Sequence, residues 1–163
     1  MDDEHIFVID ENVFIWATVG GPVDYEGRYR RVGPDDPRSL NLFASIERYG
    51  DRLALSKELW ERYSRHEDRL RQAGLAMLPD RPITVIGRLF QAGRVVYERE
   101  PDPVALPPRY PDKDRHLADL ATATEAIIVT EDGGILRSVR GANPASAFSV
   151  VTLDEAIALV KEA

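Results

Sequence analysis

The 163-residue chain contains no cysteine. It therefore has neither a disulfide framework nor a thiolate metal site. It also lacks an excess of positive charge: 21 Lys and Arg stand against 28 Asp and Glu, for a net charge of −7. That balance excludes a global electrostatic pull toward nucleic acid, so such a ligand would need clustered basic residues or a metal. No apolar run reaches the roughly 20 residues that cross a bilayer, and the Met-Asp-Asp-Glu start is the reverse of a signal peptide's basic opening. No membrane partner is expected, and the expected location is cytoplasmic. Histidine is scarce, and no Ser-His pair with the look of a nucleophile and its base stands out.

What is present suits one α/β domain spanning 1–163. At 44% hydrophobic and 30% charged, the chain can bury a sizeable core. Apolar runs at 5–9, 53–55, 94–99, 127–129 and 148–151 read as strands. Between them lie helical stretches: a helix or turn from Val13 to Trp16, then Ser39–Tyr49, a helix opened by Ser56, Pro82–Ala92, a short helix that opens on the acids from Asp112 and carries Leu117, Leu120 and Ala121, a short one at Ile135–Leu136, and a last one after Thr152. Strands alternating with helices predict a mostly parallel sheet with helices on both sides. Leu59, Trp60, Tyr63 and Leu70 are expected to form the buried stripe of the helix that Ser56 caps. Thr152 and Glu155 have the spacing of a capping box. Gly20-Gly21-Pro22 breaks the first helix, and 20–38 reads as an insertion loop or β-ribbon. Arg28, Arg30 and Arg31 beside Tyr25 and Tyr29 could grip phosphates and bases there, or pair with Glu26, Asp35 and Asp36. Residues 100–111 form a proline-rich internal linker, and 75–78, between Gly74 and Pro79, a weak apolar patch.

Two of the strands end on acids. His5-Ile6-Phe7-Val8-Ile9 runs into Asp10, Glu11 and Asn12; Ile127-Ile128-Val129 runs into Thr130, Glu131 and Asp132. Sites in open α/β sheets gather at the carboxyl ends of the strands. Converging buried carboxylates repel one another unless a cation neutralises them, and all-oxygen sets suit Mg²⁺ or Mn²⁺. A third carboxylate comes from the start of the helix that opens at Asp112. Asp112, His116 and Asp119 share a face expected to be solvated. Asp114 leans toward Leu117, Ala118 and Ala121 and is the better metal candidate.

With these residues placed, the segments FVIDENVF, LALSKELWERY and DKDRHLADLATATEAIIVTEDGGIL resemble a PIN-domain nuclease. The resemblance spans most of the chain outside 20–38 and the linker, and it implies a PIN-like three-layer α/β/α fold. It further implies that Asp10, Asp114 and Asp132 bind Mg²⁺ or Mn²⁺ and act catalytically. Asn12 and Thr130 match polar residues beside them, expected to contact substrate. In the middle segment Arg62 fills the position of the family's usual glutamate, and Glu61, or else Glu58, is the nearest acid to complete the set; Arg62 could instead hold a phosphate. The activity implied is hydrolysis of RNA by metal-activated water, leaving 5′-phosphate and 3′-hydroxyl ends. RNA is then the expected partner, an antitoxin protein and a second copy of the chain being further candidates. Arg62 also fits a degraded, inactive module that only binds RNA or protein.

Overall fold

A computed structural model describes residues 4–24, 28–76, 81–142 and 145–162. The core is a five-stranded sheet in the order β5-β4-β1-β6-β7, formed by β1 (Ile6–Ile9), β4 (Arg52–Leu55), β5 (Val95–Tyr97), β6 (Ile127–Val129) and β7 (Ser149–Val151). Every pairing in it is parallel. The central strands carry almost no polar residue because helices cover both faces; Phe7, Val8, Leu53, Ile128 and Val129 are buried. The architecture is the three-layer α/β/α arrangement expected from the sequence.

The helices are α1 (Glu11–Val19), α2 (Arg38–Tyr49), α3 (Lys57–Gln72), α4 (Pro82–Gln91), α5 (Arg115–Thr124), α6 (Gly133–Arg140) and α7 (Leu153–Glu162). Their ends follow the local signals. Gly20 takes the left-handed conformation (φ 87°) that closes α1. The Ser56 hydroxyl accepts from Leu59 N at 3.1 Å, capping α3. Thr152 and Glu155 exchange both bonds of a capping box, at 3.0 and 3.3 Å. Arg94 donates to the carbonyls of Ile46 and Glu47, acceptors that the end of α2 leaves open, and to that of Asp51 just beyond it.

The order in which strands were laid down places a switch point beside β1. From β1 the chain moves to β4 and β5 on one side, then crosses to β6 and β7 on the other. The crevice at the carboxyl ends of β1 and β6 is where such a sheet opens. Asp10 follows β1 there, and Thr130 follows β6. Tyr63 of α3 donates to the Ile9 carbonyl, and its ring stacks on Phe14 of α1 at 4.3 Å between centroids. This contact fixes α1 and α3 relative to the end of β1.

Two readings of side-chain direction are corrected. Trp60 is not part of the buried stripe. It is 38% exposed and lies with Phe90 and Tyr97 on a surface patch over Ile86. The buried face of α3 is instead Leu59, Tyr63, His66, Glu67 and Leu70; Trp60, one residue past Leu59, is turned about 100° away. His116, expected on a solvated face, is buried, and Asp119 is largely covered, accepting from Val104 N at 3.0 Å; only Asp112 of that trio is exposed. The Val104 contact ties the proline-rich segment to α5.

The insertion carries a short antiparallel ribbon, β2 (Val23–Asp24) paired with β3 (Arg30–Arg31). Arg31 pairs with Asp35 at 2.8 Å and Arg30 approaches Asp24 at 3.8 Å, so two of its arginines face acids of the insertion itself. Tyr25 and Glu26, Met77 and Leu78 of the apolar patch, and Pro79 lie outside the described residues. Among the described residues, no helix is long and apolar enough to cross a membrane.

Candidate metal centre

Asp10 is the anchor. Its amide donates to the Val129 carbonyl at 3.0 Å, extending the β1–β6 ladder by one bond and setting the side chain at the crevice. The Thr130 hydroxyl donates to Asp10 Oδ2 at 2.7 Å and accepts from Asp132 N at 3.0 Å. Thr130, expected to contact substrate, is fully buried and instead orients both aspartates. Asn12 is half-buried in the first turn of α1, where its backbone amide slightly lowers the Asp10 pKa.

Asp114 arrives from the other side, at the end of a 3₁₀ turn (Asp112–Asp114) that leads into α5. The buried Tyr110 hydroxyl donates to the Asp114 carbonyl at 2.9 Å and holds that turn. Asp132 caps α6, its Oδ1 accepting from Ile135 N at 3.0 Å. A Cβ at position 134 would stand 3.0 Å from that oxygen, so Gly134 keeps space beside the carboxylate. Asp132 is half-exposed, at the rim.

The carboxylates are electrostatically coupled. Burial, Asp114 and Glu11 together push the Asp10 carboxyl up to about 7, against the opposing hydrogen bond from Thr130. Asp114 is raised to about 6, first by burial and then by Asp132 and Glu11, with Lys113 and Arg62 opposing. Buried like charges without enough compensation hold their protons.

The expected fourth acid, Glu61, is not brought to this group. It is exposed, with Lys57 4.0 Å away. Glu58 reaches only as far as Arg62, at 3.0 Å. The acid that joins Asp10 and Asp114 is Glu11, the first residue of α1. Burial raises its pKa, but the His66 hydrogen bond and the charges of His66 and Arg62 outweigh that and lower it overall. Its Oε1 accepts from Arg62 at 3.1 Å and its Oε2 lies 2.8 Å from His66 Nε2. His66 Nδ1 meets the Tyr29 hydroxyl at 2.5 Å, so the insertion reaches back to the centre through one imidazole. Arg62, at the position where the family resemblance calls for glutamate, thus sits at the site with its charge divided between Glu11 and Glu58.

Glu11, Asp114 and His116 each present one ligand atom within 4.8 Å of the other two, and all three are buried. Burial first and Arg62 second hold the His116 imidazole neutral, its pKa pushed down to about 4. Signals for these residues were present in the chain. His116 lies four residues before the buried Leu120, and His66 seven after Leu59, which put both on covered faces. Glu11 directly follows Asp10 but was hidden by it.

No protein-family model and no curated protein matches the chain. Among solved structures it is similar to a PilT N-terminus domain protein, SSO1118 from the hyperthermophilic archaeon Sulfolobus solfataricus P2. That similarity covers 97% of this chain and 95% of the other, with 10% identity and a TM-score of 0.47.

Proposed function

We propose that the protein is a divalent-metal-dependent nuclease acting on RNA phosphodiester bonds, with Mg²⁺ or Mn²⁺ as cofactor. The observation that carries this reading is the pair of buried carboxylates, Asp10 and Asp114, whose proton affinities are raised by burial and by neighbouring acids more than Thr130, Lys113 and Arg62 lower them. Asp10 and Asp114 would hold the ion, with Glu11 beside them and Asp132 at the rim. When bound, such an ion supplies Lewis acidity toward water and phosphate. The chain's own part is positional. Thr130 aligns Asp10 and Asp132, Tyr110 fixes the Asp114 turn, and Arg62 offers a guanidinium next to the acids, where a phosphate oxygen could be received.

Cleavage of a labelled single-stranded RNA tests the reading. Wild type is expected to cut with Mn²⁺ or Mg²⁺ and to stop in EDTA. Asp10→Asn and Asp114→Asn should each lower the rate by at least about 100-fold, the scale of losing a group that positions reacting charge. Absence of cleavage by folded protein with every ion would overturn it.

Arg62 favours a second reading, an inactive module that binds RNA or protein, because a cation at the site opposes a metal ion. Arg62→Gln separates the two. In a competent centre, removing a like charge a few ångströms away should tighten Mn²⁺ binding by about 3- to 10-fold. If neither the wild type nor this variant binds Mn²⁺ in a calorimetric titration, the inactive module is the better description.

A further inference from the structure

A nitrogen-bearing side chain, His116, lies beside the carboxylates of this centre. His116 is 8% exposed, and neither of its ring nitrogens has a hydrogen-bond partner among the described residues. Leaving a buried polar atom unmade costs about 1–3 kcal/mol, and native structures rarely do so without a reason. A neutral imidazole has one donor and one acceptor nitrogen. One of the two lies within 4.8 Å of carboxylate oxygens of both Glu11 and Asp114. Arg62, which pairs with Glu11, directs its donors to Glu11 and Glu58 and leaves the ring unbonded.

We propose that His116 is a nitrogen ligand of the centre, completing a Glu11–Asp114–His116 set that selects a first-row transition-metal ion over Mg²⁺. The inference rests on the reading of this cluster as a metal centre and goes further by naming the ligand and the class of ion. Ligand atoms about 2.1 Å from an ion stand at most about 4.2 Å apart, so side-chain rotations of a few tenths of an ångström would close the observed set. Glu11 can take part although both its oxygens are engaged, because a carboxylate offers about four lone-pair positions and Arg62 and His66 occupy two. The α5 geometry supports the pairing. Asp114 ends the 3₁₀ turn and His116 lies two residues on, in the first turn of the helix, and both are buried toward Glu11. Imidazole favours Mn²⁺, Fe²⁺, Co²⁺ and Zn²⁺ increasingly over the hard, strongly hydrated Mg²⁺, whereas carboxylates alone would not discriminate in this way.

Calorimetric titration of the metal-free chain with Mn²⁺, Co²⁺ and Mg²⁺, together with pulsed EPR of the Mn²⁺ form, tests the assignment. The Mn²⁺ and Co²⁺ dissociation constants are expected to lie at least about 10-fold below that of Mg²⁺, and bound Mn²⁺ should show ¹⁴N hyperfine coupling. His116→Phe keeps a ring in the buried space without its nitrogens. It should remove the coupling and raise the Co²⁺ constant by about 10-fold while moving the Mg²⁺ constant by less than about 2-fold. The EPR measurement on wild type needs no variant, so the assignment stays open to refutation if His116→Phe fails to fold. Tight Mn²⁺ binding without ¹⁴N coupling, and without preference over Mg²⁺, would overturn the His116 assignment and leave the carboxylate centre standing. Failure of all three ions to bind would overturn the centre itself.

Discussion

Metal-free Asp10→Asn is expected to be more stable than wild type at pH 8, by about 1–3 kcal/mol, or a melting temperature about 3–10 °C higher for a chain of this length. The Asp10 carboxyl is moved from 3.8 to about 7 on folding. The folded state therefore holds this proton more tightly than the unfolded chain does. The sign follows: the contribution to stability is fully present below about pH 4 and is lost as pH rises through about 7. The loss at this position alone would be up to about 4 kcal/mol; the smaller expected gain allows for an imperfect amide replacement. Thr130 can still donate to an amide oxygen at position 10. The difference between variant and wild type should be near zero at pH 4 and level off above pH 7. A difference independent of pH would show that Asp10 does not carry the cost. The same carboxylate should make metal binding pH-dependent. Apparent Mn²⁺ affinity of the wild type should fall as pH drops through 7 and then 6, where Asp10 and Asp114 regain their protons. Saturating Mn²⁺ at pH 8 should raise the melting temperature of wild type and leave Asp10→Asn unmoved. A buried group that opposes folding until a ligand arrives is a mark of a site kept for function.

Phe14→Ala is expected to cost about 3–5 kcal/mol, the range for truncating a fully buried aromatic. Phe14 is 0% exposed, stacks on Tyr63 and meets Phe43 edge-on with centroids 6.4 Å apart. Phe14 lies one turn after Glu11 on α1, and Tyr63 follows Arg62 on α3. The aromatic stack therefore holds together the two helices that bring Glu11 to Arg62 and His66. In a variant that still folds, a cavity here should loosen those contacts and weaken Mn²⁺ binding along with stability. Urea denaturation and metal titration of one preparation read both. A change under about 1 kcal/mol would show that the neighbours collapse into the space without cost.

The elements were legible in the chain because their causes are local. β-branched runs, Ser56 as a cap, the Thr152–Glu155 box and Gly20 each act within a few residues, and the structure has a strand, cap or break at every one of them. Asp10 and Asp114 were legible as buried acids for the same reason: strand-end position and helix phase are read from near neighbours. Glu61 is the nearest acid in sequence to the expected position, but its helix phase turns it to solvent beside Lys57. The residue that does join the buried group, Glu11, is set there by α1 packing on α3, through Phe14 and Tyr63, which are 49 positions apart in the numbering.

By itself, the sequence determined the alternation of strands and helices, the parallel character of the sheet, and which strands end on acids. It did so because periodicity and capping are short-range. The tertiary structure decided the strand order, and with it the switch point that sets β1 beside β6 and Thr130 within 2.7 Å of Asp10. It also decided that neither His116 nitrogen finds a partner among the described residues and that Arg62 faces Glu11. Those outcomes depend on which surfaces of α1, α3 and α5 cover one another, and no window of neighbouring residues contains that information.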